Sequence, residues 1–104
     1  MRNESTLVER IVLSKAIDGE LRTFDIDLHR AGDGYQVYVY DPDEAFSPVA
    51  RTHADYEQAK ALFDDCVEKI IHEPVTFTDT VYDFAERIAE KLSLCGFDDS
   101  FADD

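Results

Sequence analysis

Positive charge is what this sequence has least of. Its 104 residues hold 10 Lys and Arg against 24 Asp and Glu, a formal net charge of −14 at pH 7. Such a field repels phosphate backbones and anionic membrane surfaces and attracts basic ones. Neither direct nucleic-acid binding nor membrane binding is therefore expected. No apolar run approaches the roughly 20 residues of a membrane-spanning helix, and no charged-then-apolar leader opens the chain. Glycine and proline are scarce, at four and three residues, with no internal repeat, low-complexity stretch or linker. Nor is there a glycine-rich phosphate loop, a nucleophile elbow or a Cys-x-x-Cys pair. The two cysteines, Cys66 and Cys95, fall on apolar stripes of helical spacing. The expectation is a cytoplasmic protein with both thiols reduced and serving as small buried hydrophobes. A disulfide tying two helices is the alternative.

What is present suffices for one core. Hydrophobic residues make up 44% of the chain and include seven Phe and five Tyr, far more aromatic material than a disordered acidic chain carries. The length fits a single domain spanning residues 1–104. Two Asp-Gly dipeptides, Asp18-Gly19 and Asp33-Gly34, are strong hairpin cues. Between them Phe24, Ile26 and Leu28 alternate with Thr23, Asp25, Asp27 and His29, the period of a strand.

Read as two-residue loops, the turns fix a register. The first sets Leu13 opposite Phe24, Ile11 opposite Ile26 and Arg10 opposite Asp27, a favourable cross-strand charge pair. The second sets Leu28 opposite Val39 and Asp27 opposite Tyr40. One face then gathers Ile11, Leu13, Phe24, Ile26, Leu28, Val37 and Val39. The other carries Val8, Arg10, Val12, Asp25, Asp27, His29, Tyr38 and Tyr40. A one-residue slip in either hairpin would destroy the agreement between the two turns.

Residues 41–48 read as an acidic, proline-containing loop, and residues 49–52 as a short edge strand. Thr52 and Asp55 resemble a capping box for a helix running to about His72. Its apolar stripe is Tyr56, Ala59, Phe63, Cys66, Val67 and Ile70, and Pro74 prevents continuation. Thr76 or Thr78 can cap a second helix with the stripe Val81, Phe84, Ala85, Ile88, Leu92 and Cys95, followed by Gly96 as a left-handed cap. The tail, residues 97–104, holds two Phe and four Asp with no base. The predicted fold is α+β: a three- or four-stranded antiparallel sheet of two consecutive hairpins, with two C-terminal helices packed on one face.

Few constellations could carry chemistry. Asp25, Asp27 and His29 share a strand face, yet residues two apart on a strand sit nearly 7 Å apart, at about 3.3 Å of rise per residue. A metal would need ligands from elsewhere, so a solvated polar face is the expectation. Asp64, Glu68 and His72 follow one helix face with Glu-x-x-x-His spacing, unlike the Glu-x-x-His of di-iron helices. The Asp41-Pro42-Asp43-Glu44 segment lacks the glycine and the bidentate Glu of a calcium loop, having Phe46 and Thr52 there. Cys66 and His72 have no positioning partner for nucleophilic catalysis. No catalytic residue, metal or cofactor is assigned, and an enzyme is not expected.

The acids themselves suggest a role. The first helix displays Asp55, Glu57, Asp64, Asp65 and Glu68 with only Lys60 and Lys69 as bases. Carboxylates three or four apart on a helix lie about 5–6 Å apart at Cβ, comparable to neighbouring phosphates along a strand. A rigid row of them can enter a groove shaped for nucleic acid. These five residues, with Asp25, Asp27, Tyr38 and Tyr40 of the sheet face, are the candidate partner-binding positions.

In size, charge and layout the chain resembles small phage-encoded inhibitors, anti-CRISPR proteins and other DNA mimics. That resemblance implies an inhibitor with a basic protein partner, such as a nucleic-acid-binding effector complex whose channel is positively charged. It assigns no residue roles. An immunity protein or antitoxin neutralising a basic nuclease would share the same composition. A small dimeric adaptor using the Tyr38 and Tyr40 face would need no basic partner. The sequence alone leaves the oligomeric state open.

Overall fold

A computed structural model describes residues 5–44, 46 and 48–96. The elements are β1 (Ser5–Ile17), β2 (Glu20–Ala31), β3 (Gly34–Tyr40), β4 (Val49–His53), α1 (Tyr56–His72), α2 (Val81–Lys91) and β5 (Cys95–Gly96). The sheet is antiparallel in the order β1-β2-β3-β4-β5. Four strands form it as consecutive hairpins, and the two-residue β5 extends the β4 edge. The predicted α+β layout is present.

The first hairpin has the expected register, with Leu13 opposite Phe24, Ile11 opposite Ile26 and Arg10 opposite Asp27. Asp18 and Gly19 both adopt positive φ, at 57° and 77°, the requirement of a type I′ turn. A bulge between Leu7 and Glu9 then brings Leu7 opposite His29, so Leu7 joins the outer face that Val8 was expected to occupy alone at that end.

The second hairpin differs from expectation by two residues. Its turn is Gly32-Asp33, and Leu28 pairs with Val37, Asp27 with Tyr38, and Asp25 with Tyr40. Gly32 alone has positive φ, 59°, as the first central residue of a type II′ turn does. Gly34 serves another purpose: a Cβ there would meet the His53 carbonyl oxygen of β4 at 2.7 Å. The glycine that looked like a turn residue is required by close approach of strands. A two-residue shift preserves the side-chain alternation, so the assignment of faces survives.

The inner face meets the helices. Phe24, Ile26, Leu28 and Val37 are fully buried with Phe63, Cys66 and Phe84. Phe24 stacks on Phe46 at 5.3 Å between ring centroids and meets Phe84 edge-on at 5.5 Å. From α1 the core receives Ala59, Leu62, Phe63, Cys66 and Ile70; Tyr56 is largely exposed and Val67 half-buried. Burial pushes the Cys66 thiol up to about 12, with the Asp65 charge adding to it, so this cysteine is an inert hydrophobe.

The helix ends correct three expectations. Thr52 lies in β4, and Asp55 itself caps α1, its Oδ1 accepting from the Gln58 N–H at 3.0 Å. Thr80, rather than Thr76 or Thr78, caps α2 in a reciprocal box with Asp83. α2 ends before Cys95: Ser93 takes the left-handed conformation at φ 58°. The Leu94 and Ser93 N–H groups then bond the Ala89 and Glu90 carbonyls, a Schellman closure without glycine. Cys95 and Gly96 belong to β5, not to a helical stripe or cap. The acidic tail at residues 97–104 lies outside the described residues.

An ion network locks the helices together. Arg87 donates to Glu73 at 2.8 Å and to Asp79 at 2.8 Å, and Lys91 reaches Glu73 at 3.1 Å. Burial of Glu73 opposes its ionisation, but the hydrogen bonds and charges of Lys91 and Arg87 hold its pKa below the usual carboxylate range. Among the described residues no helix is long and apolar enough to cross a membrane.

Candidate functional site

Two surfaces carry the candidate residues, and they are chemically unlike. On the outer sheet face Asp25, Asp27, Tyr38 and Tyr40 come together, because Asp25 pairs with Tyr40 and Asp27 with Tyr38 across β2 and β3. Tyr38 and Tyr40 stack at 5.3 Å, and His29 continues the stack onto Tyr38 at 5.2 Å. These rings wall the carboxylates in. Asp27 is fully buried and Asp25 nearly so, which corrects the expectation of a solvated polar face.

Arg10 organises this cluster from β1. Its Nε and Nη2 donate to Asp27 Oδ1 and Oδ2 at 2.9 and 3.1 Å, a bidentate geometry. Its Nε also stands 3.3 Å from Asp25 Oδ1, and His29 Nε2 lies 3.4 Å from Asp27 Oδ2. One guanidinium cannot neutralise two carboxylates. Burial raises the Asp25 pKa to about 6, the neighbouring Asp27 charge adding to it and Arg10 opposing. Asp27 moves the other way: burial works against ionisation, but the Arg10 hydrogen bonds and charge outweigh it and lower its pKa. Burial and both carboxylates raise the Tyr38 and Tyr40 hydroxyls. Among the described residues no cluster of three or more His, Cys, Asp or Glu is arranged to hold a metal ion.

The second surface is the outer side of the helices. Asp55, Glu57, Asp64, Asp65 and Glu68 are all exposed. Asp55 is partly occupied as the α1 cap. Two bases stand within the row. Lys60 pairs with Asp64 at 3.2 Å as well as with Glu9 at 2.9 Å, and Lys69, one turn beyond Asp65, lines the same groove as Asp65 and Glu68. Asp65 and Glu68 border a shallow groove of about 460 Å³ shared with Lys91 of α2.

Sequence reasoning missed that α2 continues this surface. Asp83, Glu86 and Glu90 are exposed and line a second groove of about 420 Å³ with Asp79 and Arg87. The signal was legible, since these acids occupy the positions between the α2 apolar stripe. Missed too was a groove of about 560 Å³ where Tyr40, Asp41, Glu44, Phe46 and Tyr82 converge at the end of β3.

Comparison with known proteins returned no match to any family model, curated protein or solved structure.

Proposed function

We propose that this chain is an acidic protein-binding inhibitor whose helical layer occupies a basic, nucleic-acid-binding surface of a partner protein. The observation that carries the reading is the segregation of charge. Among the strand residues described, only Arg10, Asp25 and Asp27 carry charge on the outer sheet face. The exposed acids of α1 and α2, by contrast, stand on rigid, capped helices with few free bases. A fixed row of carboxylates presents the partner with charge at phosphate-like spacing and loses little conformational entropy on docking. Steering by such a field gives fast association that weakens steeply as salt rises.

The test begins with the partner captured from the source cell. Asp64, Asp65 and Glu68 are then all reversed to Lys, a change on exposed side chains. Association with the partner should slow strongly at low ionic strength and less at high. Rates that ignore both the reversal and the salt would contradict the proposal.

A further inference from the structure

The outer sheet face is not explained by an acidic helical layer, and in a chain of net charge −14 its composition stands apart. By strand register it presents Leu7, Val12, Leu21, Tyr38 and Tyr40 around the Arg10–Asp27–Asp25 cluster, with the uncharged Ser14, Thr23, Gln36 and Thr52 among them. Leu7, Val8, Val12 and Leu21 are 44%, 43%, 55% and 73% exposed, unusual for large aliphatic side chains gathered on and beside one face. The same face holds two buried polar atoms, Asp25 Oδ1 and His29 Nδ1, that make no hydrogen bond within the described residues.

We infer that this face is where a second copy of the chain docks, sheet against sheet, leaving both acidic helical layers outermost. Charge selects the occupant. Two copies of so acidic a chain can approach closely only through a surface nearly free of net charge, and this is such a surface. Packed this way, the helical layers stand on opposite sides of two stacked sheets, further apart than the screening length of about 8 Å at physiological salt. A basic partner, by contrast, finds little here to pair with, because Asp25 and Asp27 are buried and both already face Arg10.

The pattern across the strands is also self-complementary. β1 contributes Leu7, Arg10 and Val12 and β3 the stacked Tyr38 and Tyr40, one strand on each side of β2. A twofold axis parallel to β2 therefore lays Val12 and the Arg10 stem of each copy on Tyr40 and Tyr38 of the other, an isologous contact. The reach is adequate. The domain's two longest dimensions are 44 and 28 Å, and a standard interface needs only about 800 Å² from each partner. Sheets packed face to face in this way form the aligned sandwich common to β proteins.

The proposal goes beyond the inhibitor reading and is tested without any partner, by light scattering after size exclusion on the full chain. The wild type should run as a dimer that strengthens as salt screens the residual repulsion, opposite in sign to the charge-driven partner binding above. Val12→Glu and Leu7→Glu, both at exposed positions, should each weaken the dimer by about tenfold or more. Ala61→Glu, which adds the same charge on the outer side of α1, should not. Urea denaturation of each variant separates loss of assembly from loss of fold. A monomeric wild type at the highest attainable concentration would overturn the inference, leaving the face to a different protein. So would a dimer that survives both face substitutions.

Discussion

Asp27 is fully buried while the Arg10 side chain is 44% exposed, so the two ends of this ion pair respond differently to removal. Arg10→Ala strands a carboxylate among tyrosines and should cost about 3–5 kcal/mol, the range for an uncompensated buried charge. Asp27→Asn leaves a guanidinium that can turn to water, and about 1–2 kcal/mol is expected. Urea denaturation at pH 7 compares them, and equal losses would show that Asp27 is better solvated than its burial indicates. Asp25 gives the cluster a pH dependence. Its pKa is raised to about 6 in the fold, so the folded chain holds the proton more tightly than the unfolded one. That contribution is fully present below the ordinary carboxylate pKa near 4 and is lost as pH rises through about 6. It amounts to on the order of 2–3 kcal/mol. Asp27 acts oppositely, its stabilisation disappearing only as pH falls below the ordinary carboxylate range. The pair's contribution to stability should therefore peak near pH 4, fall as pH rises from about 4 to 6, and level off towards neutrality. Asp25→Asn should flatten that decline, and a variant as pH-sensitive as the wild type would place the titration elsewhere.

Hairpins and helices were legible to different depths. The alternation of β2 is strict, so its faces could be read even though the second turn was misplaced by one residue; that moves the pairing by two, and parity tolerates it. Gly34 misled because an Asp-Gly pair is a turn signal by local chemistry, whereas its role depends on the His53 carbonyl, a contact no local reading contains. The caps were misplaced for a related reason. Thr52, Asp55, Thr76, Thr78 and Thr80 are all competent caps, and strand pairing of Thr52 with Gln36 decides where α1 can begin. Phe63 is a firmer case, fully buried on the α1 stripe. Phe63→Ala should cost about 3–5 kcal/mol as a large-to-small core change. A loss under about 1 kcal/mol in urea would mean that the core collapses around the gap far more readily than its packing suggests.

At the scale of the whole molecule, charge could be counted in the sequence but its placement could not. The α1 acids were recognisable from helical spacing, and those of α2 follow the same logic once Thr80 sets the phase of that helix. The burial of Asp25 and Asp27 was not legible, because it needs Tyr38, Tyr40 and Arg10 from two neighbouring strands to close over them. Packing so much like charge within a radius of gyration of 13.7 Å should cost stability through self-repulsion. Raising ionic strength from low to physiological should accordingly lift the melting temperature, and a flat or falling response would show better internal compensation. Binding offers the most direct examination of the central claim, that the helical layer stands in for nucleic acid. The preformed complex with the captured partner is challenged with a short oligonucleotide that the partner binds alone. Displacement should be strictly competitive, with Asp64, Asp65 and Glu68 reversed to Lys giving a complex that the oligonucleotide dissolves at far lower concentration. A stable ternary complex of partner, oligonucleotide and this protein would contradict it.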